Sequence, residues 1–130
     1  MKIQIKLALA FILFSISFSA WPKSPLEVVN ARMAAHNQHN MEAFLSNYSE
    51  NIQVYDYPDV PLGQRGKEHI ERIFSPLFKS KSVKVTIHSQ MENGNFVVNR
   101  ETVVREGKTT EYISIYEVVD GLIESVRFIK

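Results

Sequence analysis

The chain has 130 residues, with 15 lysines and arginines against 14 aspartates and glutamates, four histidines and no cysteine. Without cysteine there is neither a disulfide framework nor a thiolate site. The near-neutral balance shows no basic stripe, which argues against nucleic acid as a partner.

Residues 1–19 read as a cleavable leader. Lys2 and Lys6 precede the run LALAFILFSISF, which has the length of a signal h-region and is too short to span a bilayer comfortably. Ser17-Phe18-Ser19 supplies the small-x-small pattern of a cleavage site, and Ala20 is the next candidate. The expected destination is the periplasm or the medium. Residues 20–130 are the expected mature domain: 130 less 19 leaves 111, enough for one core and too few for two ordinary domains. Its charge would be 13 basic against 14 acidic side chains. No later apolar run approaches the length of a membrane span, so no membrane association is expected after cleavage.

After a lead-in from Trp21 to Lys23, Ser24-Pro25-Leu26-Glu27 combines an N-cap serine, a first-turn proline and a capping-box glutamate. A helix follows to about Asn37, with Leu26, Val29 and Met33 on one face and Asn30 and Arg32 off it. Asn40 caps a second helix, in which Met41, Phe44, Leu45 and Tyr48 recur at i, i+3, i+4 and i+7. Residues 52–57 alternate as a strand that puts Asp56 on the side of Ile52 and Val54. Pro58, Pro61, Gly63 and Gly66 mark a loop. Ile70, Ile73, Phe74, Leu77 and Phe78 then form a helical stripe, with Pro76 kinking the last turn or assigning it to the exit loop.

From Val83 the period becomes alternating. Asn93-Gly94, Glu106-Gly107 and Asp120-Gly121 punctuate four strands, at about 82–92, 95–105, 109–119 and 122–129. The expected class is α+β. Three N-terminal helices pack on a strongly curved, mainly antiparallel sheet, forming a cone with a central cavity.

Asn40-Met41-Glu42-Ala43-Phe44, Tyr48-Ser49-Glu50-Asn51, Val54-Tyr55-Asp56-Tyr57-Pro58, Gly66-Lys67-Glu68-His69-Ile70 and Val119-Asp120-Gly121-Leu122-Ile123 together resemble the nuclear transport factor 2-like superfamily. The SnoaL-like and steroid delta-isomerase-like branches are the most similar. The resemblance implies a general base at Asp56, which is similar to the strand-end aspartate of the ketosteroid isomerases. That chemistry needs a base to move a proton alpha to a carbonyl and donors to hold the enolate oxygen. The family's oxyanion tyrosine falls on Arg32. Its protonated aspartate falls on Ser114, or on Tyr116 under an ungapped alignment, so the oxyanion pair is not retained as such.

Read from the residues, Asp56 on an apolar strand face is expected to be desolvated and suited to proton transfer; the competing role is capping of the following loop. Tyr55, Tyr57, Tyr112 and Tyr116 offer apolar walls with polar tips for a small apolar ligand, or else ordinary packing. Arg32, Arg100, Glu101 and Glu111 read as surface ion pairs more readily than as a buried polar set. His36 and His39 flank a helix end and read as a solvated terminus, while His69 and His88 are isolated, so no metal and no cofactor is expected. Three functions stay open. The first is an enzyme using Asp56 with Tyr112, Ser114 or Tyr116 assisting, Arg32 joining these three as a ligand-binding residue; the others are a non-catalytic binding module and a homodimerisation domain.

Overall fold

The computed structural model describes residues 23–130, so the leader lies outside the described residues. Helix α1 (Pro25–Asn37) begins at the expected cap, where Ser24 Oγ accepts from the Glu27 N–H at 3.2 Å. Its buried face carries Val28, Val29, Met33 and Ala35, and also Arg32 and His36. Arg32 is therefore not off the packed face as expected. Helix α1 contacts strands on several sides of the curved sheet, so its buried surface is wider than one apolar stripe.

Helix α2 (Met41–Leu45) is shorter than the apolar spacing predicts. The Asn40 side chain caps it, accepting from the Ala43 N–H at 3.1 Å. It stops because Ser46 Oγ and Asn47 Nδ2 both donate to the Ala43 carbonyl, at 2.6 and 2.8 Å. Short polar side chains here compete with the next helical turn. Tyr48 instead opens β1 (Tyr48–Asp56) and still packs on Phe44, with ring centroids 5.2 Å apart.

A two-residue strand, β2 (Val60–Pro61), lies in the expected loop and pairs with the end of β1. Helix α3 (Lys67–Lys79) runs through Pro76, so the last turn does not join the exit loop. Strands β3 (Val83–Asn93), β4 (Phe96–Arg105), β5 (Lys108–Val119) and β6 (Leu122–Ile129) form the expected meander. Glu106-Gly107 and Asp120-Gly121 both hold two successive positive φ angles, the primed turn that matches strand twist.

The six strands are ordered β2-β1-β6-β5-β4-β3. Strand β1 runs parallel to β6, with Val54 opposite Val126, and all other pairs are antiparallel. Register shifts in β1/β6, β3/β4 and β5/β6 bend the sheet, which stays open at its β2 and β3 edges. Phe44 centres the core under the helices, with Phe74 and Phe78 at 4.9 and 5.1 Å. Among the described residues, no helix is long and apolar enough to cross a membrane.

Candidate functional site

Inside the curve lie two adjoining cavities, of about 550 and about 300 Å³. They share walls that include Arg32, Phe74, Tyr112 and Phe128, and both reach Arg105 and Lys130 at the rim. Tyr112 packs on Phe128 with ring centroids 5.2 Å apart and planes tilted by 54°, so β5 and β6 together provide an aromatic wall.

The floor is polar and buried. Period-two alternation along β4 places Val97, Asn99, Glu101 and Val103 on the inner face, where Glu101 is 1% exposed. Glu101 Oε1 accepts from Ser114 Oγ at 2.6 Å and from Tyr116 Oη at 3.4 Å, while Oε2 accepts from Asn99 Nδ2 at 3.3 Å. Asn99 in turn accepts from Gln90 Nε2 at 2.8 Å, and the same Gln90 nitrogen reaches Asn30 on α1 at 3.0 Å. Three of the carboxylate's roughly four acceptor sites are thus taken by the protein, and Glu101 also lines the larger cavity.

Arg32, 6% exposed, lies beside this network and lines both cavities. Its Nε donates to Tyr48 Oη at 2.8 Å and its Nη1 to Met33 Sδ at 3.2 Å. Its guanidinium lies 5.0 Å from the Phe44 ring centroid and 5.8 Å from that of Tyr116. Burial pulls its pKa down, but the electrostatic attraction of Tyr116, Tyr48 and Glu101 more than offsets this, leaving it above its ordinary value. The group is charged, yet it makes no ion pair within 4.0 Å among the described residues. Burial likewise pushes the Tyr116 and Tyr48 phenols up, against the opposing pull of Arg32, so both are neutral, Tyr116 donating to Glu101 and Tyr48 accepting from Arg32.

His36, on the wall of the larger cavity, is lowered to about 3 by burial and then by the charge of Arg32. It is not the solvated helix terminus the sequence suggested. Phe44 from α2 and Phe74 and Phe78 from α3 surround its ring. His39 instead bonds the Val83 carbonyl at 2.8 Å.

Asp56 ends β1 and lines the smaller cavity beside His69, Tyr112 and Phe128. It is exposed and not desolvated as expected. Along its face burial fades from Ile52 through Val54 to Asp56, because β1 ends at the mouth and its outer neighbour is only the two-residue β2. Both ring nitrogens of His69 are buried without a partner, and a Cβ on Gly63 would collide with that ring.

The other sequence candidates separate cleanly. Tyr112 and Arg32 face the cavity. Ser114 and Tyr116, both 0% exposed, lie one layer behind it and converge on Glu101. Tyr55 turns toward Arg127, with the guanidinium 4.5 Å from its ring, and Tyr57 is exposed. Glu101 is a buried network residue and not a surface ion-pair partner, whereas Arg100 and Glu111 are exposed. The alternation of Val97, Asn99, Glu101 and Val103 carried the signal for its burial.

The family model for the SnoaL-like domain matches residues 29–126. Among solved structures, a nuclear transport factor 2-like protein of unknown function from Cytophaga hutchinsonii is similar at 21% identity and TM-score 0.72, over 85% of this chain and 92% of that one. A candidate polyketide cyclase from Pseudomonas putida is 21% identical with TM-score 0.64, over 83% and 92% of the two chains. An epoxide hydrolase from M. tuberculosis, described as LEH-like, is 15% identical with TM-score 0.64, over 80% of each chain. At these identities the likenesses show the fold alone. No functionally curated protein matches the sequence. With most of its length under one family model and its cone shared with these structures, the chain belongs to the SnoaL-like domain family of the nuclear transport factor 2-like fold.

Proposed function

We propose that the protein is exported and encloses a small apolar ligand in its cone, acting on it as an isomerase, cyclase or hydrolase. The observation that carries this reading is the pair of cavities with the charged Arg32 in the wall of both and Asp56 on the smaller. Asp56 takes a proton from a carbon alpha to a carbonyl, or from water. Arg32 donates to the oxygen on which negative charge develops, and the buried setting strengthens that interaction. Tyr112 supplies apolar wall, while Ser114 and Tyr116 act through Glu101, holding the charge beside Arg32 in place. The names of the cyclase and hydrolase among its structural neighbours agree with this range of reactions.

The test is native mass spectrometry of the protein from its own host, wild type beside Asp56→Ala. A co-purifying apolar compound supplies the substrate to assay, and the same spectrum reads whether the protein is a homodimer. On that compound, Asp56→Asn is expected to bind normally and lose about 10²- to 10⁴-fold in turnover. Sequencing of the mature N-terminus is expected to begin at Ala20, in periplasm or medium.

One observation favours a second reading, a non-catalytic carrier. The Asp56 side chain has no hydrogen-bond partner among the described residues that would aim it into the cavity. Tight binding with the compound recovered unchanged by wild type would select the carrier.

A further inference from the structure

We infer that the ligand is an organic acid, an apolar body with one carboxylate that docks on Arg32 at the cavity floor. This rests on the cavity reading above, narrows it from any apolar molecule to an anionic class, and gives the free donors of Arg32 to the ligand's carboxylate in place of a developing oxyanion.

The floor holds two charged side chains of opposite sign in unequal positions. Glu101, which lines the larger cavity beside Arg32, already has three protein donors on its two oxygens. Arg32 has five N–H groups. Two of them are used, one by Tyr48 and one by the weak acceptor Met33 Sδ. Nη2 meets no acceptor, yet it is not sealed away, since the fully buried side-chain nitrogens without partners among the described residues belong to His69. The unused donors therefore open on the cavity that Arg32 lines.

An uncharged ligand that filled this space would strip water from those donors and replace it with little. A carboxylate meets the guanidinium with two parallel charge-assisted hydrogen bonds, the match of planar fork to planar acceptor. Phe74, Tyr112 and Phe128, directly above, are a bed for the apolar remainder.

The mouth carries a second and independent sign of the same charge. Arg105, Lys108 and Lys130 are exposed on the rim, and none is in an ion pair among the described residues. Lys130 Nζ lies 6.0 Å from the Tyr112 ring, over the aromatic wall itself. The rim carboxylates are Glu106 on the larger cavity and Asp56 on the smaller. Three free cations around a low-dielectric opening concentrate anions there and speed their entry, in a way that added salt screens.

The test uses two nearly isosteric probes, 1-naphthaleneacetic acid and 1-naphthaleneacetamide, titrated by calorimetry into the mature protein at pH 7. The acid is expected to bind about tenfold or more tightly than the amide, the ratio set by a charge-assisted pair. Arg32→Met is expected to bring the acid down to the level of the amide. Arg32→Lys, which keeps the charge if the methionine variant fails to fold, is expected to retain part of the preference. Arg105→Ser combined with Lys130→Ser is expected to slow association of the acid and flatten its salt dependence without removing the preference. Equal affinity of the two probes for wild type would overturn the inference and leave the cavity reading standing. Binding of neither probe at millimolar concentration would overturn both.

Discussion

At the floor of the cone, Glu101, Ser114 and Tyr116 are buried, and each side-chain oxygen meets a partner, Ser114 and Tyr116 reaching Glu101 from the neighbouring strand and Asn99 from its own. At the mouth, Asp56, Arg105, Lys108 and Lys130 are exposed, and none is hydrogen-bonded through its side chain among the described residues. The floor is held by the fold and holds it in return, so substitutions there are read in stability. The mouth is free of that duty, so substitutions there are read in rate and selectivity.

The largest effect that would break this contrast is at Glu101. Glu101→Leu strands three donors and leaves Arg32 buried without its nearby negative charge, which is expected to cost about 3–5 kcal/mol in urea unfolding. A loss under about 1 kcal/mol would mean that the floor is not a network. Asp56→Asn is the opposite case, with turnover down about 10²-fold or more and stability within about 0.5 kcal/mol of wild type.

Acid sharpens the comparison further. His36 is lowered from 6.5 to about 3 in the folded protein, by burial and by Arg32. The unfolded chain therefore binds the proton more readily, so stability is full above about pH 6.5 and falls as pH drops toward about 3. Urea titrations across that window are expected to show the loss, and His36→Phe to flatten it.

The smallest effect is at His69, where an unsatisfied imidazole lies under the loop. His69→Leu removes two buried polar atoms and is expected to raise stability by about 1 kcal/mol, read as a higher urea midpoint. An unchanged or lower midpoint would mean that the ring finds partners in solution.

The meander was legible because its instructions are local: Glu106-Gly107 and Asp120-Gly121 specify their turns, and alternation sets the faces between them. The cap of α1 was legible for the same reason. Tyr48 was legible as core but not as strand, since apolar spacing reports burial and the break came from Ser46 and Asn47. Arg32 and Glu101 show the limit on the site. Charged residues read as exposed until the partners that bury them are known, and those partners, Tyr48, Ser114 and Tyr116, arrive from other strands. Asp56 fails in the other direction, because alternation fixes the side a residue faces and not how far out along the cone it lies.

The parallel pairing of β1 with β6 has a consequence for how the protein is made. Tyr48, Val54 and Asp56 find their parallel-strand partners in Ile123, Val126 and Phe128, so the helices and first strand cannot close their core while the ribosome is still translating the later part. Such long-range pairing is slow to form, and a nascent chain organised this way remains threadable until its last strand is released. That delay would suit the export proposed above, for which premature folding in the cytosol would be a dead end.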